Sequence, residues 1–464
     1  MHPWSKVLLI LVLLAGWLAP GPAAAQASGP IYVVEAGDSL WGIALKFGLD
    51  AAQLADANAM SLSDPLVVGR ELVVPGFEGI SGVLATRPVV FGETVRSLGL
   101  RHGLTLETVI RLNRIVHPGR LFVGQDEIFP QGQGDGLLVP ESATIQVDED
   151  ETDIELSMRT GFSAWALREI NGRASRMWSV PGETISVPAP GRPSTGLALQ
   201  VESVRVDPLP VRQGRTSRIE VRAQTAAAPQ GSLGPWALGF EPLETGSWVA
   251  LQGVYALAEP GMIDLRLAFS EGSGPLTLEF VQPIYLASGD YGFDPILNVP
   301  DETIDPETTR PENEQVAALV APFTPERLWE GPFLYPAAYT ESFPSRFGSR
   351  RNYNGTGYNY YHAGLDFYGG TGAEITAPAR GRVVFADALT VRGNTTILDH
   401  GWGVYTAYLH QSEIRVSPGE MVEAGQTIGL VGATGRVTGP HLHWEVWVGG
   451  VPVDPLEWIE TAYP

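Results

Sequence analysis

The chain has 464 residues, 44% of them hydrophobic, which is too much for one core, so several domains are expected. A net charge of -22, with Lys6 and Lys46 as its two lysines, excludes nucleic acid as a partner, because phosphate binding needs clustered cations. Cysteine is absent, which excludes disulfides, a thiolate nucleophile, a cysteine-held zinc and lipid attached through cysteine.

In chain order, Lys6 precedes an apolar run from Val7 to Leu18, then Pro20, Pro22 and the small residues Ala23-Ala24-Ala25. This reads as a secretory signal peptide over 1–25. The run is shorter than the roughly 20 residues that span a bilayer. The mature chain is therefore expected to be extracytoplasmic, secreted or wall-associated, and free of the membrane.

Tyr32 to Pro75 predicts a short strand, a Gly37-Asp38-Ser39 turn and cap, and a helix through Leu40, Ile43, Ala44 and Phe47. A second helix ends near Asn58, and a strand closes over Glu71 to Val74. The Gly-Asp-Ser-Leu start, Asn58 and the closing Gly-x-x-Leu-x-Val-Pro resemble a LysM domain, a βααβ module that binds N-acetylglucosamine-containing glycans; it is placed at 31–76. The pattern returns with Gly92-Glu93-Thr94, Asn113 and Pro130, giving a LysM-like unit at 82–131. It returns again with Gly161, Asn171 and Gly182-Glu183-Thr184, giving a degenerate unit at 142–190. The residues do not separate glycan binders from spacers in these two copies.

From 197 to 290 the apolar pattern changes to strict alternation, as in Arg218-Ile219-Glu220-Val221-Arg222, which predicts a β-sandwich with a structural or spacer role. Residues 291–332 read as a linker, because Asp301 to Glu314 is acidic, contains proline and is almost free of large apolar residues. A last domain occupies 333–464. The fold class expected is multidomain and mainly β.

Five of the eight histidines fall between His362 and His443. His441 and His443 sit in strand-favouring sequence, where residues two apart share a face, so both can line one cleft while Leu442 packs inward. His362 and Asp366 also share a face in an extended segment, with Gly364 letting the backbone bend. Two imidazoles and one carboxylate leave an open coordination position, as a catalytic zinc site requires. Such an ion makes water acidic and polarises a carbonyl. His410 and the other histidine of the pair are then free for acid/base work or oxyanion stabilisation.

The stretches from Ser342 to Arg351, His362 to Asp366, Tyr408-Leu409-His410, Val422 to Gly429 and Gly439 to Glu445 together resemble the lysostaphin-type murein metalloendopeptidases, whose core is an antiparallel β fold. The resemblance implies zinc held by His362, Asp366 and His443, with His410 and His441 catalytic. It implies a secreted enzyme that binds peptidoglycan glycan through LysM and hydrolyses peptide bonds of the stem or cross-bridge. The alternative is a catalytically silent wall-binding activator or scaffold of the same fold. His400, in an Asp-His-Gly turn, reads as structural. Arg350, Tyr358, Tyr360 and Tyr361 precede the first ligand, and a tyrosine among them is a candidate for oxyanion stabilisation. A non-haem iron site would leave His410 and His441 without a use. A biotinyl or lipoyl carrier needs an acceptor lysine, and none follows Lys46.

Overall fold

The structure is a computed structural model that describes residues 29–119, 121–131, 142–148, 151–171, 180, 182–189, 197–225, 227–270 and 277–464. The segment read as a signal peptide lies outside the described residues. These fall into two compact units. The first holds the described residues within 1–87, 102–116 and 127–139, and the second those within 88–101, 117–126 and 140–464.

In the first unit, β1 (Ile31–Val33) pairs antiparallel with β2 (Glu71–Val73), and α1 (Leu40–Phe47) and α2 (Ala51–Ala57) lie between them in sequence. Ser39 caps α1 by accepting from the Gly42 amide, and Asp50 with Gln53 forms a capping box on α2. Ile43, Phe47, Leu54 and Leu72 close the core. The same order recurs as β3 (Val83–Pro88), α3 (Val95–His102), α4 (Leu106–Asn113) and β4 (Asp126–Gln131), with residues 88–101 and 117–126 assigned to the second unit. It recurs a third time, in the second unit, as β5 (Ser142–Gln146), α5 (Asp153–Thr160), α6 (Ala164–Ile170) and β6 (Thr184–Pro188).

Three asparagines behave alike. The Asn58 side chain donates to Leu54 O and Val73 O and accepts from the Val73 amide. Asn113 makes the same bonds to Val109 and Ile128, and Asn171 to Leu167 and Ser186. Each pins the end of a helix to the closing strand. Asn58, Asp38 and Ser39 are therefore internal braces: Asp38 takes the Tyr32 hydroxyl and the Glu35 amide.

Two sheets form the sandwich. One runs in the order β11 (Trp236–Ala237), β10 (Gln230–Leu233), β14 (Gly261–Ser270), β15 (Thr277–Ala287), β8 (Val211–Arg212). The other runs β12 (Glu241–Pro242), β13 (Trp248–Gly253), β9 (Thr216–Ala223), β7 (Val201–Asp207). Their inner faces meet over Ile219, Val221, Leu265, Leu267 and Ile284. The sandwich is more than a spacer. Val249 and Leu251 enter the core of the last domain, the Thr216 amide donates to Glu457, and the Trp458 indole N–H donates to Thr216.

The region read as a linker is a correction. Residues 306–320 form a helix, α7 (Pro306–Val320), with Asp305 as N-cap and proline at N1. The acidic composition of its first turns hid the amphipathic stretch that follows, in which Val316 and Val320 pack against Ile397, Tyr405 and Leu409. Glu312 is buried and accepts from the Val391 and Arg392 amides.

In the last domain β16 (Arg350–Arg351) and β17 (Tyr360–Tyr361) form a small ribbon. β18 (Leu365–Tyr368), β26 (His441–Val448), β22 (Val404–Gln411), β21 (Gly393–Gly401), β20 (Gly381–Leu389) and β24 (Met421–Val422) lie side by side in that order. β27 (Val451–Val453) pairs with β26, and all these pairings are antiparallel. A second sheet joins β19 (Glu374–Thr376), β25 (Thr427–Leu430) and β23 (Glu413–Ile414). Leu442, Trp444, Val446 and Val448 point from β26 into the core, so its other face is left for chemistry.

Candidate metal centre and catalytic cleft

Sheet register assembles the site. Asp366 on β18 lies opposite His443 on β26, and His443 lies opposite Leu409 on β22. Residues directly opposite share a face, so Asp366 and His443 converge. His410 follows Leu409 at φ 63°, an uncommon backbone for a residue with a side chain. Its amide donates to Arg392 O at 3.0 Å.

His362, Asp366 and His443 are all buried, and their donor atoms form a tight triangle. His362 Nε2 is 2.8 Å from His443 Nδ1 and 3.0 Å from Asp366 Oδ1, and His443 Nδ1 is 2.9 Å from Asp366 Oδ1. The outer contacts decide the tautomers. His362 Nδ1 lies 3.0 Å from Arg346 O, a carbonyl that can only accept, so Nδ1 carries the proton and Nε2 presents a lone pair. His443 Nε2 lies 3.0 Å from Glu445 Oε1, which leaves Nδ1 with its lone pair. Two nitrogen lone pairs and a carboxylate oxygen therefore face one another, an arrangement that repels unless a cation sits among them. The donor set fits a divalent metal ion with an open position.

Burial pushes the His362 pKa down to about 4. Burial works to raise that of Asp366, but His362 and His443 hold it well below the usual carboxylate range. Burial opposes protonation of His443, but the Asp366 and Glu445 carboxylates outweigh it and raise its pKa, so without an ion Nδ1 can take up a proton that a metal would displace. Glu445 is held in turn by the Trp447 indole N–H at 2.8 Å.

His410 and His441 flank the triangle. Each uses Nδ1–H on a carbonyl, Thr434 O and Gly439 O respectively, both at 2.8 Å. Each Nε2 is left as a base. The two rings are 5.2 Å apart, and His441 Nε2 is 3.6 Å from Asp366 Oδ1. His400 is elsewhere: fully buried, it donates to Arg380 O and bonds Thr406, as expected of a structural residue, and burial lowers its pKa to about 4.

All five residues singled out in the sequence therefore meet at one place. Three partners were not singled out for a role there. Glu445 orients His443, Arg351 lies 3.4 Å from Asp366 Oδ2, and Ser345 lies 3.1 Å from His362 Nδ1. Their signal was present only as motif flanks. Among the tyrosines, the Tyr358 hydroxyl donates to Asp294 O, whereas Tyr360 and Tyr361 line the cleft.

Residues 360–455 match the sequence model of peptidase family M23, and residues 32–75 and 89–126 match the LysM domain. The chain carries a peptidase family M23 domain. It is preceded by LysM domains. Peptidoglycan DD-endopeptidase ShyB of Vibrio cholerae is 40% identical over 113 residues, which is 24% of this chain and 26% of that protein. DD-carboxypeptidase/endopeptidase Mpg of Neisseria meningitidis is 40% identical over 95 residues, 20% of this chain and 22% of that protein. Each match thus spans about a quarter of the relative. Among solved structures, a peptidase M23 of Pseudomonas aeruginosa is 25% identical, covering 55% of this chain and 96% of that one, with a TM-score of 0.40. The M23 match encloses all five residues of the cluster. No helix among the described residues is long and apolar enough to cross a membrane.

Proposed function

We propose that this chain is a wall-associated zinc endopeptidase that holds peptidoglycan glycan through its LysM domains and hydrolyses peptide bonds of the stem or cross-bridge outside the cytoplasm. One observation carries the proposal: three mutually repelling donors, His362 Nε2, Asp366 Oδ1 and His443 Nδ1, with two histidine bases beside them. A scaffold of this fold has no need to keep such a set, which argues against the silent alternative. Zinc is the ion that suits this donor set, and it supplies Lewis acidity toward a carbonyl oxygen.

The protein's own residues do the rest. His362, Asp366 and His443 would hold the ion, and Glu445 and Arg346 O keep the two imidazoles in their tautomers. His410 and His441, each with a free Nε2, take the proton from the attacking water and return one to the leaving amine. The cleft beside them measures about 480 Å³.

For glycan, the motif residues are spent inside the fold, so binding falls to what is exposed. Val67 and Val68 protrude from the loop before β2, whose Gly69 amide donates to Val34 O, and Trp41 projects from α1. These apolar side chains suit the acetamido faces of the sugar.

The test is mass spectrometry of purified peptidoglycan digested by the zinc-loaded chain with and without chelator. New chelator-sensitive amine ends are expected, and their absence overturns the reading. Deleting Tyr32 to Pro75 is expected to weaken pull-down by insoluble wall severely while turnover of a soluble muropeptide hardly changes.

A further inference from the structure

Three guanidinium groups line the cleft that also contains His362, His410 and His443: those of Arg351, Arg392 and Arg436. Two are neutralised. Arg351 pairs with Asp294 at 3.3 Å and with Asp366 at 3.4 Å, and Arg392 pairs with Glu312 at 3.0 Å. Arg436 is different. Its Nη1 donates to Thr303 O at 2.9 Å and its guanidinium lies 4.4 Å from the centre of the Tyr353 ring, but no carboxylate pairs with it among the described residues. Burial, with Arg351 and Arg392 nearby, pushes its pKa down from the ordinary arginine value.

A guanidinium without a carboxylate partner stands out in a chain with 52 acidic and 30 basic residues. The nearby carboxylates are engaged elsewhere, Asp294 and Asp366 with Arg351, Glu312 with Arg392 and Glu445 with His443, and none of them pairs with Arg436. A half-buried cation without a counter-ion is costly unless something else supplies the charge. The position is also well defined. The Arg436 amide donates to Val391 O at 2.8 Å, and Thr434, two residues earlier, holds His410 Nδ1. Arg436 is thus anchored on the turn that orients one of the two bases, and a ring stacked on one face leaves the edge of a guanidinium free for a planar, two-pronged acceptor.

We propose that Arg436 is a specificity residue that binds a carboxylate of the substrate, and that the preferred bond is an amide whose leaving amino acid carries a free carboxylate on the carbon next to its nitrogen. This rests on the hydrolase reading above. Hydrolysis breaks the amide C–N bond, adds water across it and passes a proton to the departing nitrogen. The departing residue must therefore lie against His410 and His441, and Arg436 lines a cleft with both of them, where a carboxylate one carbon from that nitrogen can meet it. A direct D-alanyl–diaminopimelate cross-link has that carboxylate, and so does a terminal D-alanyl–D-alanine. A bond inside a glycine bridge does not, and an amidated cross-link has lost it.

The experiment uses the full zinc-loaded chain and two synthetic cross-linked peptides that differ only in a carboxylate or a carboxamide on the leaving residue. Hydrogen bonds to charged groups predict a kcat/KM about 10- to 100-fold higher for the carboxylate peptide, expressed mainly in KM. In Arg436→Gln that ratio is expected to fall toward one, and in Arg436→Lys to fall only part of the way, because charge remains without the fork. A wild-type ratio near one overturns the subsite while leaving the hydrolase standing. So does an Arg436→Gln chain that slows both peptides equally, and the wild-type and Arg436→Lys results decide the matter if the glutamine variant does not fold. If neither peptide is cut, and intact peptidoglycan is not cut either, the hydrolase reading fails and this one with it.

Discussion

The asparagines of the three repeats and the side chains of the candidate metal site are both polar groups gathered beside a strand, yet they are built in opposite ways. Asn58, Asn113 and Asn171 each satisfy every donor and acceptor they touch, within one module and across 15 residues of sequence. His362, Asp366 and His443 leave lone pairs facing each other, and His443 lies 77 and 81 residues from its two partners. The satisfied cluster stabilises its module. The unsatisfied one is a place where stability is given up, and its donor set can hold an ion. Polar convergence is therefore not in itself a sign of function; unmet hydrogen-bonding capacity is.

Four groups of substitutions test that contrast. The largest effect is expected from His362→Ala, Asp366→Ala or His443→Ala: hydrolysis falls to background and zinc is lost, measured as metal per chain after dialysis. A variant that keeps stoichiometric zinc would remove its residue from the ligand set. Next, His410→Ala and His441→Ala should retain zinc and fold but lose turnover by about 10²–10⁴, as for an acid/base group. Near-wild-type turnover in either would take that histidine out of the mechanism. Third, Glu445→Gln should weaken zinc about 10- to 100-fold in chelator competition, because the carboxylate that orients His443 is gone; unchanged affinity would make Glu445 a packing residue. The smallest effect belongs to the satisfied cluster. Asn58→Ala should cost its module roughly 2–3 kcal/mol by stranding the Val73 amide and carbonyl, seen as faster hydrogen exchange at Val73. If Asn58→Ala instead abolished glycan binding with exchange unchanged, the two clusters would be of one kind.

Much of this architecture could be read directly from the chain. The Gly37-Asp38-Ser39 cap, the alternation in Arg218 to Arg222 and the same-face spacing of His441 and His443 are short-range patterns, and short-range geometry follows from backbone periods alone. Two readings fell short for one reason. The segment holding α7 was taken as a linker because Glu312 looked like one more exposed acid, whereas it caps the turn at Val391 and Arg392 some 79 and 80 residues away. The sandwich was given a structural or spacer role without choosing between them, because nothing in its strands shows that Val249, Leu251 and Thr216 pack against the last domain.

By itself the sequence determined which side chains could bind metal and which modules surround them, because residue chemistry and local period are properties of a few neighbouring positions. Tertiary structure alone decided the rest. It set the register that places Asp366 across from His443, the carbonyls that assign each imidazole its tautomer, and the pairing that neutralises Arg351 and Arg392 but leaves Arg436 uncompensated. These are distances between residues far apart in the chain, and burial makes such distances govern charge: a partner at 3 Å in a cleft outweighs any composition averaged over the whole molecule.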